Sequence, residues 1–115
     1  MTKLYGQYIQ EREGQIIISK DYGFTTYSLF SSPDGVTTNI FIHDFFIVKE
    51  DRRSGKAQEL ANELLKIAID NKCYSILSLV DISTNTVCEA LKFQLSQGLK
   101  PSKLVGNLIY MYRRL

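Results

Sequence analysis

The hydrophobic pattern changes period near the middle of the chain. Gln15–Lys20 carries Ile16-Ile17-Ile18, a short β-branched run that reads as a strand. Asp21-Tyr22-Gly23 supplies a turn, and Phe24–Phe30 is a second run of β-formers. Asp34-Gly35 makes the next turn, ahead of a long third strand over Thr37–Val48. Strands joined by turns this short predict an antiparallel meander. Apolar residues then recur at helical spacing. Ala57, Leu60, Ala61, Leu64, Leu65 and Ala68 form one stripe, opposite Glu59, Glu63, Lys66 and Asp70, which predicts a helix from about Ser54 to Asn71. Tyr74–Val80 follows as a buried strand, parallel to the third because such a helix is the usual crossover between parallel neighbours. Thr86 and Glu89 form a capping-box pattern that opens a second helix to about Gln97, and Gly98 suits its C-terminal cap. Leu104–Tyr112 reads as a final strand, and Leu4–Glu13 as a short leading helix. The predicted order is helix, three strands, helix, strand, helix, strand, an α+β fold on a mixed sheet.

Composition narrows the class. At 115 residues with 44% hydrophobic and 23% charged, and with no repeat or linker, the chain reads as one domain over 1–115. Such a length buries roughly two-thirds of the unfolded surface, enough for a core without staples. The longest apolar stretch, Ile40–Val48, is broken by His43 and Asp44, and a bilayer span needs about 20 apolar residues, so no membrane partner is expected. The first residues lack the apolar core of a signal peptide. Cys73 and Cys88 therefore read as reduced, buried thiols of a cytoplasmic protein. A single histidine, His43, excludes the common catalytic zinc sets, and no metal is expected. A net charge of +2 gives no ground for nucleic-acid binding.

Chemistry concentrates in Phe45-Phe-Ile-Val-Lys-Glu-Asp-Arg-Arg-Ser-Gly-Lys-Ala57, a hydrophobic strand running into a polar loop that opens an amphipathic helix. The N–H groups at a helix start lack intrahelical partners, the macrodipole is positive there, and Gly55 lets a ligand approach the backbone closely. Arg52, Arg53 and Lys56 add charge at the same point, and a pyrophosphate would fit. Neither a Walker loop nor a dinucleotide fingerprint is present. Two readings of these residues stand: an anion site, or a turn glycine with a solvated cationic rim.

Arg52-Arg-Ser-Gly-Lys-Ala57 is similar to the [Q/R]-x-x-G-x-[G/A] signature of the GNAT-superfamily N-acetyltransferases. The surroundings also resemble that family over about residues 15–112: Phe45-x-Ile47 before the loop, acidic Glu50, Leu64-Leu65 on the helix, and a late helix ending in Gly98-Leu99. The resemblance implies a splayed central parallel pair of strands with acyl-CoA between them. It implies that the backbone of Phe45, Phe46 and Ile47 pairs with the pantetheine arm. It also implies that the amides of Arg53, Ser54, Gly55, Lys56, Ala57 and Gln58 wrap the pyrophosphate, with Arg52 heading the loop. The implied reaction moves an acetyl group from acetyl-CoA to a small-molecule or protein amine, with a base taking the amine's proton and an acid protonating the departing thiolate.

The sequence departs from the family in two places. The acid is commonly a Tyr in the late helix, and the matching position here is Gln94, preceded by Phe93; Ser96 and Cys88 are the substitutes on that helix. For the base the candidates are Asp44, Glu50 and His43, with His43 and Asp44 facing opposite ways because strand side chains alternate. The family also places a strand and two helices before its first hairpin, whereas little sequence precedes Gln15. An N-terminally truncated member is expected, with an open acceptor site or one completed by a second copy in a homodimer. Short members occur among phage-encoded proteins, which fits a viral origin. Two alternatives stand beside the enzyme: a non-catalytic GNAT-like binding module that still binds CoA, and an unrelated α+β domain.

Overall fold

In the computed structural model, which describes residues 15–51 and 54–115, β1 (Ile16–Lys20), β2 (Gly23–Ser31) and β3 (Thr38–Ile47) form the expected antiparallel meander. A 3-10 turn over Lys49–Asp51 precedes α1 (Lys56–Asp70), which crosses to β4 (Ser75–Asp81). Then follow α2 (Val87–Ser96), β5 (Lys100–Val105) and β6 (Leu108–Arg114). The leading helix expected over Leu4–Glu13 lies outside the described residues, as do Arg52 and Arg53. The strands form one sheet ordered β1-β2-β3-β4-β6-β5, with β3 and β4 its parallel pair.

The end of the chain differs from the single strand expected over Leu104–Tyr112. It is a hairpin, β5 against β6, turned by Gly106 and Asn107 between the paired Val105 and Leu108. Gly106 adopts φ 59. A glycine first in a two-residue loop, at positive φ, matches the twist of flanking strands and so reverses the chain without splaying them. This Gly-Asn signal was in the sequence, but the apolar run of Leu104, Val105, Leu108 and Ile109 around it reads as continuous.

One sheet face carries the core. Tyr27, Ile40, Ile76, Val80 and Met111 pack with Leu64 and Ala68 of α1, and Val87 and Leu91 of α2 press on the same cluster. The apolar stripe read from the sequence is therefore the buried face, with Leu60, Leu64 and Ala68 inaccessible. Gly98 ends α2 as expected, at φ 85, while Leu99 N–H reaches the Gln94 carbonyl at 3.1 Å and Gly98 N–H reaches Leu95 at 3.0 Å. That double closure satisfies carbonyls that the helix leaves over and carries buried Leu99 into the core. At the other end, Thr86 is the N-cap residue but its side chain makes no cap bond, so the capping box is not formed. Cys73 is buried, whereas Cys88 is exposed, contrary to the expectation that both are interior: its helix position faces away from the cluster.

The root of the parallel pair is locked by a polar contact. Asn39 and Ser75 are register partners, both buried, and Ser75 Oγ donates to Asn39 Oδ1 at 2.6 Å. Ser75→Ala removes the donor and leaves that oxygen without it inside the sheet. The expected loss is about 1–3 kcal/mol in denaturant melts, against a near-neutral result if water readily replaced the hydroxyl.

Candidate functional site

Strands β3 and β4 pair only at Asn39↔Ser75, Ile40↔Ile76 and Phe41↔Leu77, and then diverge. On its other side β3 stays paired with β2 as far as Ile47. The divergence opens a groove of about 640 Å³, within the size range of small-molecule sites. Ala57, Ala61 and Leu64 of α1 wall it on the core side, with Phe93 and Gln94 of α2 opposite. Small residues at Ala57 and Ala61 keep the passage beside α1 open. Phe45 and Phe93 meet across the groove with ring centroids 5.4 Å apart.

A bulge interrupts the β2–β3 ladder beside the groove. Thr26 partners Asp44 while the next residue, Tyr27, partners Ile42, so His43 is the inserted residue. This overturns the expected opposite facing of His43 and Asp44. Thr26 Oγ1 donates to Asp44 Oδ2 at 2.7 Å, and Ser28 Oγ lies 2.8 Å from His43 Nε2. Thr26 and Ser28 alternate on β2 and so share a face. The extra residue resets the alternation and brings His43 and Asp44 together on the face away from the core, the His43 ring tilted against that of Phe41 with centroids 4.8 Å apart. Both line the groove.

The other expected catalytic residues are placed elsewhere. Glu50 is exposed in the 3-10 turn, and Ser96, exposed in the last turn of α2, donates its hydroxyl to the Phe93 carbonyl of its own helix. Neither is among the groove walls. Asp81, at the far end of β4, does line it; its carboxyl is held below the usual range by the Ser83 hydroxyl and then the Ser83 amide. Cys73 is set apart from this chemistry, because burial pushes its thiol up and away from the reactive thiolate.

Of the expected phosphate loop, the structure describes Ser54 onward. Gly55 is the N-cap of α1 at φ 83, a left-handed conformation that L side chains rarely adopt, and as a glycine it supplies no side-chain cap bond to the helix start. A Cβ at Gly55 would meet nothing within 4 Å among the described residues, which leaves room for a ligand to approach the backbone there. Lys56 is partly committed, with Nζ 3.3 Å from Glu59 Oε2 and 5.3 Å from the Tyr22 ring centroid. Gln58 faces α2 and exchanges amide hydrogen bonds with Gln97, at 2.7 and 3.1 Å, which ties the start of α1 to the end of α2 beside the groove.

Gln94 is a groove residue whose arrangement the sequence did not indicate. Its Nε2 donates to the Leu79 carbonyl on β4 at 3.2 Å. Its Oε1 is buried and has no hydrogen-bond partner among the described residues.

No family model matches this sequence, and no curated protein matches it either. Solved structures do match. A Pyrococcus horikoshii OT3 protein, PH1933, superposes with TM-score 0.74 at 18% identity over 98% of this chain and 73% of its own. The PaiA N-acetyltransferase of Thermoplasma acidophilum, crystallised with coenzyme A, gives 0.73 at 14% identity over 98% and 70%. Arabidopsis thaliana Naa50, bound to the bisubstrate analogue CoA-Ac-MVNAL, gives 0.67 at 17% identity over 82% and 66%. The chain therefore shares the overall fold of these proteins, the GNAT fold.

Proposed function

We propose that this protein binds acetyl-CoA in the β3–β4 groove and transfers its acetyl group to an amine. The observation that carries this reading is the conjunction of the diverging strands with an open, glycine-led helix start at one end of the groove. Acetyl-CoA fits these features. Phe45, Phe46 and Ile47 would flank its extended arm, and the backbone from Ser54 to Gln58 would take its pyrophosphate, with Arg52 and Arg53 adjoining in sequence. When bound, acetyl-CoA supplies a thioester carbon open to attack by a nitrogen nucleophile. Asp44 then has the role of base. It lies in the groove on the face away from α1, and its fixed hydrogen bond from Thr26 holds the carboxylate in one orientation, ready to accept a proton from the incoming amine. The setting is cytoplasmic, where exposed Cys88 stays a thiol.

Acetyl-CoA at 100 times its Kd should stabilise the protein by about 2.7 kcal/mol. In a domain of this size that raises the melting temperature by roughly 10 °C. Asp44→Asn should keep this shift but lower acetyl transfer to a responsive amine about 100-fold or more. No shift at saturating acetyl-CoA overturns the proposal. A second reading, a CoA-binding module without catalysis, is favoured by Gln94, whose side chain cannot donate a proton as an acid does. A full thermal shift with no CoA release across a panel of amines selects that reading.

A further inference from the structure

We infer that Gln94 is a positioning residue for the amide-bearing arm of CoA, through its unpartnered Oε1. The inference rests on the acetyl-CoA reading of the groove. A primary amide has an acceptor and two donors, and here the donor side is spent: Nε2 bonds to the Leu79 carbonyl on the lip of β4 where that strand parts from β3. That bond fixes the plane of the amide and leaves Oε1 beside it, buried among groove walls and without a partner. A buried acceptor left unpaired is costly, and this oxygen belongs to a residue of the groove wall, where a ligand can satisfy it.

The geometry of an extended arm indicates which donor. A trans amide points its C=O and its N–H in opposite directions. An arm lying in the slot between β3 and β4 turns one pole of each amide toward β3 and the other toward β4 and α2. The amide whose carbonyl faces β3 presents its N–H on the side where Gln94 Oε1 waits. Gln94 thus serves as a piece of surrogate strand: it pairs with β4 through Leu79 and accepts from the arm as a backbone carbonyl would. Its side chain is anchored at one end, so the acceptor is preorganised and its bond to the arm is formed at little entropic cost.

The test is calorimetric titration of the full-length protein and its Gln94→Met variant with CoA, acetyl-CoA and adenosine 3′,5′-bisphosphate, which has the phosphates but no arm. Methionine matches the length of glutamine and lacks the acceptor. The expected result is about tenfold weaker binding of both CoA and acetyl-CoA, with the bisphosphate unchanged. Equal weakening of all three ligands overturns the inference in favour of a structural role. Weakening of CoA but not acetyl-CoA also overturns it, because the acceptor would then serve the thiol S–H. No change in any ligand, with CoA still bound, overturns the inference and leaves the acetyl-CoA reading standing. Failure of the unaltered protein to bind CoA overturns both. Should Gln94→Met not fold, Gln94→Asn, which retains the amide but withdraws it by one methylene, gives the same discrimination between arm-bearing and arm-less ligands.

Discussion

Gly55→Trp is expected to raise the dissociation constant for CoA by about 100-fold or more, in calorimetric titration against the unaltered protein. Two effects combine. The residue sits at φ 83, and a left-handed conformation costs an L side chain roughly 1–2 kcal/mol, so the loop tends to leave the geometry that exposes its amides. No described residue fills the space where its Cβ would project, and an indole there occupies the approach to the helix start. Gly55→Ala separates these effects. Its methyl group meets none of the described residues, so it should lower stability by about 1 kcal/mol through backbone strain. Its effect on CoA binding should fall between those of glycine and tryptophan. A plain turn glycine makes the opposite prediction: both variants would lower stability slightly, and neither would change CoA affinity beyond about twofold.

Gly23→Ala is expected to be among the most damaging single-methyl additions to this protein. Substituting alanine for glycine ordinarily stabilises by about 0.4–1 kcal/mol, because the unfolded chain has fewer conformations to lose. The site here reverses that sign. Gly23 opposes Ile47 in the β2–β3 ladder, and an added Cβ lands on the Phe46 carbonyl oxygen and 2.9 Å from Ile47 Cα. Both neighbours are backbone and cannot rotate aside. The strands must part, at an expected cost of about 2–3 kcal/mol and roughly 10 °C in melting temperature. The same displacement moves Phe46 and Ile47, so acetyl-CoA binding should weaken in parallel. Hydrogen exchange would localise the effect, with faster exchange at Phe46 and Ile47 than in the β4–β6 ladder. A melting temperature equal to or above that of the unaltered protein would show that the strands accommodate the methyl group.

The contrast between these glycines illustrates what can be read from a sequence. Gly55 was legible because the loop signature and the onset of helical periodicity at Ala57 are local features. Gly23 reads only as a turn residue, since the carbonyl that forbids a side chain there belongs to Phe46, on another strand. Similarly, the family resemblance singles out Phe45, Phe46 and Ile47 for backbone pairing with the pantetheine arm, and these residues line the groove. Gln94 was singled out as a departure from the family pattern, but its bond to Leu79 and its buried oxygen depend on how α2 settles over β4.

By itself the sequence determined the order of the elements from β1 to α2, the buried stripe of α1, and the glycine that opens it. These follow from periodicities of two and 3.6 and from the conformational freedom of one residue, all expressed over a few neighbouring positions. Only the tertiary structure decided that His43 and Asp44 share a face, that β3 and β4 separate after Phe41, and that the last strand is a hairpin. The first two depend on register between separate strands, and the hairpin on whether the Gly106-Asn107 turn or the apolar run around it prevails. A single inserted residue in such a ladder redirects every side chain near it, while changing nothing in the local pattern from which a strand is read.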